Sequence, residues 1–185
     1  LSPLQPRNEQ VDLYGNASRS NVVLNCGRGI CFETFESAEG SKVFFREISM
    51  LTIVNASLIV ELSNLETILK FTHVTFYANH AKSEGAPLVL LDSGVNKIIL
   101  NGVRAYNNSG TRGGFIMVKG NSKLDVISST IESNIATNKG GAIYAAVSRE
   151  ENEVAPAGRP FLYISHSIFT RCKAAEGGAI YAAEG

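Results

Sequence analysis

Apolar residues recur through the second half of the chain at fixed distances from four anchors, Asn79, Asn108, Asn134 and Cys172. Three residues before the anchors stand Phe76, Ala105, Ile131 and Phe169. Eight before stand Phe71, Leu100, Val126 and Ile164, and ten before stand Leu69, Ile98, Leu124 and Leu162. The last two sets share a parity, as one buried face of a β-strand requires, whereas the helical repeat of about 3.6 residues does not select them. The pattern predicts strands.

A second motif follows each of these anchors. Gly85, Gly113, Gly140 and Gly177 open short apolar runs, such as Gly140-Gly141-Ala142-Ile143-Tyr144 and Gly177-Gly178-Ala179-Ile180-Tyr181, and their separations are 28, 27 and 37 residues. The longest gap holds a charged, Pro-bearing stretch at residues 148–160, read as an inserted loop of about ten residues that restores the period when subtracted. A unit this thin cannot bury its apolar face alone. Units therefore stack, with neighbouring strands about 4.8 Å apart and equivalent side chains in columns.

The expected architecture is all-β, a solenoid of parallel β-coils over residues 43–185. In such a stack Asn79, Asn108 and Asn134 form a ladder at a bend, because Asn tolerates left-handed turn geometry and its amide can bond the amide one coil away. Cys172 closes that ladder as a small buried thiol. The glycines supply positive φ or close backbone approach. The residues just before them, Glu84, Arg112, Lys139 and Glu176, read as a solvated edge. Residues 1–42 lack the full pattern and are expected to be an N-terminal cap over the open end, while Leu51, Ile53 and Leu58 reproduce three apolar positions in shorter form.

Gly140-Gly141-Ala142-Ile143, Gly177-Gly178-Ala179-Ile180 and Phe76-Tyr77-Ala78-Asn79 resemble the GGA[ILV] and FxxN repeats of chlamydial polymorphic outer membrane proteins, which also occur in surface proteins of protists and algae. The resemblance covers roughly residues 65 to 185. It implies a right-handed, single-stranded parallel β-helix displayed outside the cell for adhesion or as an envelope component. Ala105 and Ile131 depart from the family's Phe, Cys172 from its Asn, and Ala86-Pro87 from its Gly-Ala.

Composition sharpens this reading by exclusion. Lys+Arg and Asp+Glu balance at 17 each, so no net field draws in nucleic acid or an anionic membrane. No apolar run approaches the roughly 18 to 20 residues that span a bilayer, and no membrane insertion is expected of this segment. The chain opens at Leu1 and closes at Gly185, directly after a repeat motif, which suggests a fragment of a longer parent. Cys26 and Cys31, five apart around Gly27 and Gly29, can close a disulfide in an oxidising compartment. Sequons at Asn16, Asn55 and Asn107 are glycosylation candidates in a eukaryotic source.

Catalytic chemistry is the rival class, since parallel β-helices also carry polysaccharide lyases and hydrolases. Asp92, Asp125 and Glu132 fall at different offsets from their anchors, so stacking does not gather them. His73 and His166 share an offset but lie about three coil steps of 4.8 Å apart. No metal, cofactor or catalytic set is therefore expected. The expected function is a non-catalytic extracellular adhesion module or structural surface fibre. Its partners are other copies of itself or a cell-surface receptor or glycan. The alternative is a polysaccharide-processing or glycan-binding β-helix. Tyr144 and Tyr181, opposite in parity to Ile143 and Ile180, are a contact-strip candidate or, equally, part of the core.

Overall fold

A computed structural model describes residues 10–14, 22–31, 44–62, 68–82, 85–90, 96–147 and 158–183 of the chain. The described residues form strands and turns without a helix. One complete passage begins at Lys123–Ile127 in the first sheet and continues through Thr130–Glu132 in the second. Ile135–Lys139 then pairs with Ser109–Arg112 in a short two-stranded sheet, and Ile143–Ala146 enters the third main sheet. Phe161–Ser165 returns to the first sheet, parallel to and in register with Lys123–Ile127. Repetition of this passage gives sheets of six, six and five strands, all paired in parallel.

The register matches the columns that the sequence spacing defines. Leu69, Ile98, Leu124 and Leu162 are successive partners, as are Phe71, Leu100, Val126 and Ile164, and Phe76, Ala105, Ile131 and Phe169. Alternation along each strand turns these residues inward. Leu69 keeps 2% exposure, and the other members before the last turn, Phe71, Leu100, Val126, Ile98, Leu124, Phe76, Ala105 and Ile131, are fully buried. Column neighbours compensate in size: beside the small Ala105, the Phe76 ring meets Phe71 at 5.1 Å on one side and Phe115 at 5.0 Å on the other. Ile48 occupies the same column as Phe71, and Ile53 that of Phe76, so the turn with an incomplete pattern is built on the same plan.

Two corner columns carry left-handed backbone. Between the first and second sheets these are Met50, His73, Gly102, Ser128 and His166, with φ from 48° to 63°. After the second sheet they are Asn55, Ala78, Asn107, Ser133 and Arg171, with φ from 51° to 55°. The left-handed geometry expected at the ladder asparagines thus belongs to the residue before each of them. The reason is parity. Phe76 faces inward and Tyr77 outward, and strict alternation would then turn Asn79 to solvent; a left-handed Ala78 reverses the chain's parity and brings Asn79 inside.

At the Gly-Gly corner the two positions have different duties. Gly140 has φ 63°, and a Cβ there would collide with the Ile143 carbonyl. Gly141 lacks that φ requirement, but its Cβ would meet Gly178 and Lys173 backbone of the next turn. The first glycine makes the bend and the second permits close stacking.

Strands Gln10–Tyr14 and Val22–Asn25, within the segment expected to cap the stack, are the outermost strands of the first and second sheets. The remainder of that segment beyond residue 31, residues 1–9 and 15–21, and residues 148–157 of the inserted loop lie outside the described residues.

The three ladder asparagines are buried at 0 to 1% exposure. Asn79 Nδ2 donates to Asn108 Oδ1 at 2.9 Å, and Asn108 Nδ2 donates to Asn134 Oδ1 at 2.9 Å. Each oxygen also accepts a backbone N–H from the turn below, from Ala56, Asn79 and Asn108 in order. Each Nδ2 donates back to a carbonyl of the preceding turn, at Ile53, Phe76 and Ala105. Cys172 ends the column, its Sγ donating to the Ile131 and Thr170 carbonyls at 3.6 and 3.5 Å. Cys172 is half-buried rather than buried, and this partial burial raises its thiol pKa, opposed by hydrogen bonds at Asn134 and Thr170.

Replacing Asn108 by Ala takes the acceptor from the backbone N–H and Nδ2 of Asn79 and a donor from the Phe76 carbonyl and from Asn134 Oδ1. Urea unfolding is expected to show a loss of roughly 2 to 4 kcal/mol. Asn108→Asp should be no milder, because a carboxylate cannot donate to Asn134 or Phe76. A loss below about 0.5 kcal/mol for Asn108→Ala would show that the ladder does not hold the turns.

Candidate interaction surface

Outward positions of the second sheet form two columns. One passes through Thr52, Thr75, Arg104, Thr130 and Ile168, and the other through Val54, Tyr77, Tyr106, Glu132 and Thr170. Parallel in-register pairing places like side chains directly over one another, so Tyr77 and Tyr106 stack with centroids 4.7 Å apart and planes 29° from parallel. The guanidinium of Arg104 lies 4.9 Å from the Tyr106 centroid. Tyr77 remains 38% exposed.

Glu132 continues the column and joins two further turns. Arg104 donates to its Oε1 at 2.9 Å and Arg171 to its Oε2 at 3.0 Å. These bonds, first from Arg104 and then from Arg171, hold the Glu132 carboxyl below its ordinary pKa, against a smaller opposing desolvation effect. The hydrogen bond to Glu132 raises Arg104 in turn. The result is a carboxylate held in its ionised form by two solvent-facing guanidiniums.

Outward positions of the third sheet behave differently. Val89, Met117, Tyr144 and Tyr181 form one column, in which Val89, Met117 and Tyr144 pack with Ala86 and Ala146 into a second small apolar cluster. The Tyr144 and Tyr181 rings stack at 5.6 Å and 7°. Tyr144 is only 9% exposed, so of the two tyrosines considered for a contact strip only the half-buried Tyr181 presents surface. Lys139 covers it, donating to Tyr181 Oη at 3.0 Å and pairing with Glu176 at 3.3 Å. The hydrogen bond to Tyr181 is the main cause of the raised Lys139 pKa.

Other residues singled out by sequence find separate places. Cys26 and Cys31 are disulfide-bonded, with Cα atoms 5.3 Å apart, and that loop bridges to the turn above at Leu58. Asn55 and Asn107 are exposed in the left-handed corner after the second sheet, and Asn16, Glu84 and Asp92 lie outside the described residues. His73 and His166 share a corner column, separated by Gly102 and Ser128, while His80 meets Ser109 Oγ at 2.7 Å. Asp125 pairs with Lys97 and Glu47 with Lys70. Among the described residues no three His, Cys, Asp or Glu side chains gather as a metal site would require.

Sequence spacing held information about the second-sheet face that a search for catalytic groups passes over. Tyr77, Tyr106 and Glu132 all stand two residues before their ladder anchor. Arg171 stands one before and Arg104 four before, in different columns, and only the side-chain geometry brings both to Glu132.

Residues 128–146 match the model of the Chlamydia polymorphic membrane protein (Chlamydia_PMP) repeat. The match runs from the first left-handed corner through Asn134 and the Gly-Gly pair to the end of the third-sheet strand, so it coincides with most of one turn. No curated protein and no solved structure matches the chain.

The clamp on Glu132 has a defined pH signature. A carboxyl whose folded pKa is depressed contributes stability above its unfolded pKa and loses that contribution as pH falls through the folded value. The difference in melting temperature between the unmodified chain and Glu132→Gln should therefore be largest above the ordinary carboxylate pKa of 4.5 and shrink in more acidic solution. It should also shrink in high salt. A difference that grows on acidification would overturn the assignment.

Proposed function

We propose that this chain is a right-handed parallel β-helix module of a cell-surface protein, which presents its lateral sheet faces for adhesion. Handedness follows the strong right-handed preference of parallel crossovers. A surface location is supported by the polymorphic membrane protein repeat matched at residues 128–146, a repeat of a surface and outer-membrane family. The observation that carries the adhesive role is the face of exposed Tyr77, Arg104 and Arg171 with half-buried Tyr106, because Tyr and Arg are the side chains that most often anchor recognition. We also propose residues 1–42 as the N-terminal end unit of the stack, and Asn55 and Asn107 as the accessible sequons.

Binding is favoured over acid catalysis by the condition of the carboxylates. The four described ones, Glu47, Asp125, Glu132 and Glu176, each sit on a lysine or arginine. A general acid needs a carboxyl whose pKa is raised toward neutrality, and Glu132 is driven the other way.

Antibody raised against this chain should label intact, unpermeabilised source cells, and brief external protease should remove the label. Beads coated with the chain should then attach to target cells in a manner competed by soluble chain. Labelling that appears only after permeabilisation would exclude the surface reading, and beads that attach no better than albumin-coated ones would exclude adhesion.

A further inference from the structure

Cationic side chains on different faces are neutralised to different degrees. On the first sheet Lys70 and Lys97 each have a carboxylate of their own, Glu47 and Asp125. On the second sheet two guanidiniums share one carboxylate: Arg104 and Arg171 keep side-chain exposures of 61% and 70% while Glu132 beneath them keeps 16%. Each guanidinium has five N–H donors, of which the bond to Glu132 uses one. The arginines come from turns two rungs apart but converge on the two oxygens of one carboxylate, so their guanidiniums form a single compact cationic patch. Beside Arg104 stand the stacked rings of Tyr77 and Tyr106 and the Thr75 and Thr130 positions.

We infer that this face binds an acidic polysaccharide laid along the stacking axis, its carboxylate or sulfate groups on Arg104 and Arg171 and its sugar rings along Tyr77 and Tyr106. The inference rests on the adhesive reading above and names the ligand class. Fork-shaped guanidiniums match the planar oxygens of such groups, and stacked aromatics offer sugar C–H faces an apolar edge between polar hydroxyls. Charge complementarity selects an acidic chain over a neutral one. The narrow face, with two outward residues per strand, suits an extended polymer better than a globular partner.

The test uses the full 185-residue chain, immobilised, with heparin, hyaluronan and neutral dextran as probes at increasing sodium chloride. Heparin and hyaluronan should bind, dextran should not, and affinity should fall steadily with salt. The paired change Arg104→Ala with Arg171→Ala should weaken binding about tenfold or more, and Tyr77→Ala with Tyr106→Ala should weaken it severalfold. Glu132→Gln should strengthen it, because the guanidiniums are released from their internal anion. Lys82→Ala, an exposed cation away from this face, should leave it unchanged; thermal melts check that every variant is folded.

Three results would overturn the inference: equal capture of dextran, insensitivity to the paired arginine change in a folded variant, or weaker binding by Glu132→Gln. Binding that emerges only after Glu150, Glu151 and Glu153 are changed to Gln would overturn it too, by showing the chain's own acidic segment as the occupant. Cell attachment that survives enzymatic removal of acidic glycans would leave the adhesive reading intact and remove this one.

Discussion

The structure depends on the hydrogen bonding of a buried amide that repeats from turn to turn. A parallel stack needs no special side chain for its backbone pairing, but its corners leave N–H and C=O groups pointing inward with no strand to meet them. Asn79, Asn108 and Asn134 meet that need at the corner after the second sheet: the oxygens of Asn108 and Asn134 each take two donors from one neighbour, and the nitrogens of Asn79 and Asn108 each serve two acceptors. Because the same amide must be reached from above and below, the register cannot slip by a residue without orphaning several buried groups at once. The apolar columns follow from that register. Phe76, Ala105 and Ile131 overlie one another because the amides three residues later do.

The ladder also explains a backbone cost borne at its side. Left-handed conformation in a non-glycine residue costs on the order of 1 kcal/mol or more, and Asn55, Ala78, Asn107, Ser133 and Arg171 all adopt it one position before the ladder column. No residue type in that list favours the conformation strongly except Asn. What unites them is the task of turning the next side chain inward. Where that next residue is Ala56 or Cys172, the corner persists without an amide, so the neighbouring rungs sustain it.

Much of this was legible in the sequence because it recurs. Parity at the positions ten, eight and three before the anchors identified strands, and constant intervals identified stacking, since both are consequences of one geometry repeated. The left-handed corners were not legible: Ala78, Ser133 and Arg171 share no chemistry, and the parity reversal they produce shows only when backbone angles are known. The same limit hid the second-sheet face. Tyr77 and Tyr106 can be aligned by counting, but Arg104 and Arg171 reach one carboxylate from different columns and different turns, and long flexible side chains obey no repeat. Tyr144 failed to be legible for another reason. Outward parity on a strand ordinarily means exposure, and here Met117 and its neighbours cover it in a second apolar layer.

A stack of this kind separates the work of folding from the work of recognition. Inward positions are held by the column rule: exchange Ile131 for a charged residue and the turns above and below lose their packing as well. Outward positions answer only to β-propensity and to side-chain neighbours one rung away. Thr, Tyr, Arg, Glu and Ile therefore all occur outward on the second sheet, while its inward positions from Ile53 to Ile131 are uniformly apolar. That freedom lets charge accumulate on one lateral face with no penalty to the core. It also makes the pairing at Glu132 informative, because nothing in the fold requires an ionised carboxylate there. Its effect is to tie Arg104, Glu132 and Arg171 of three successive turns together across the outward face.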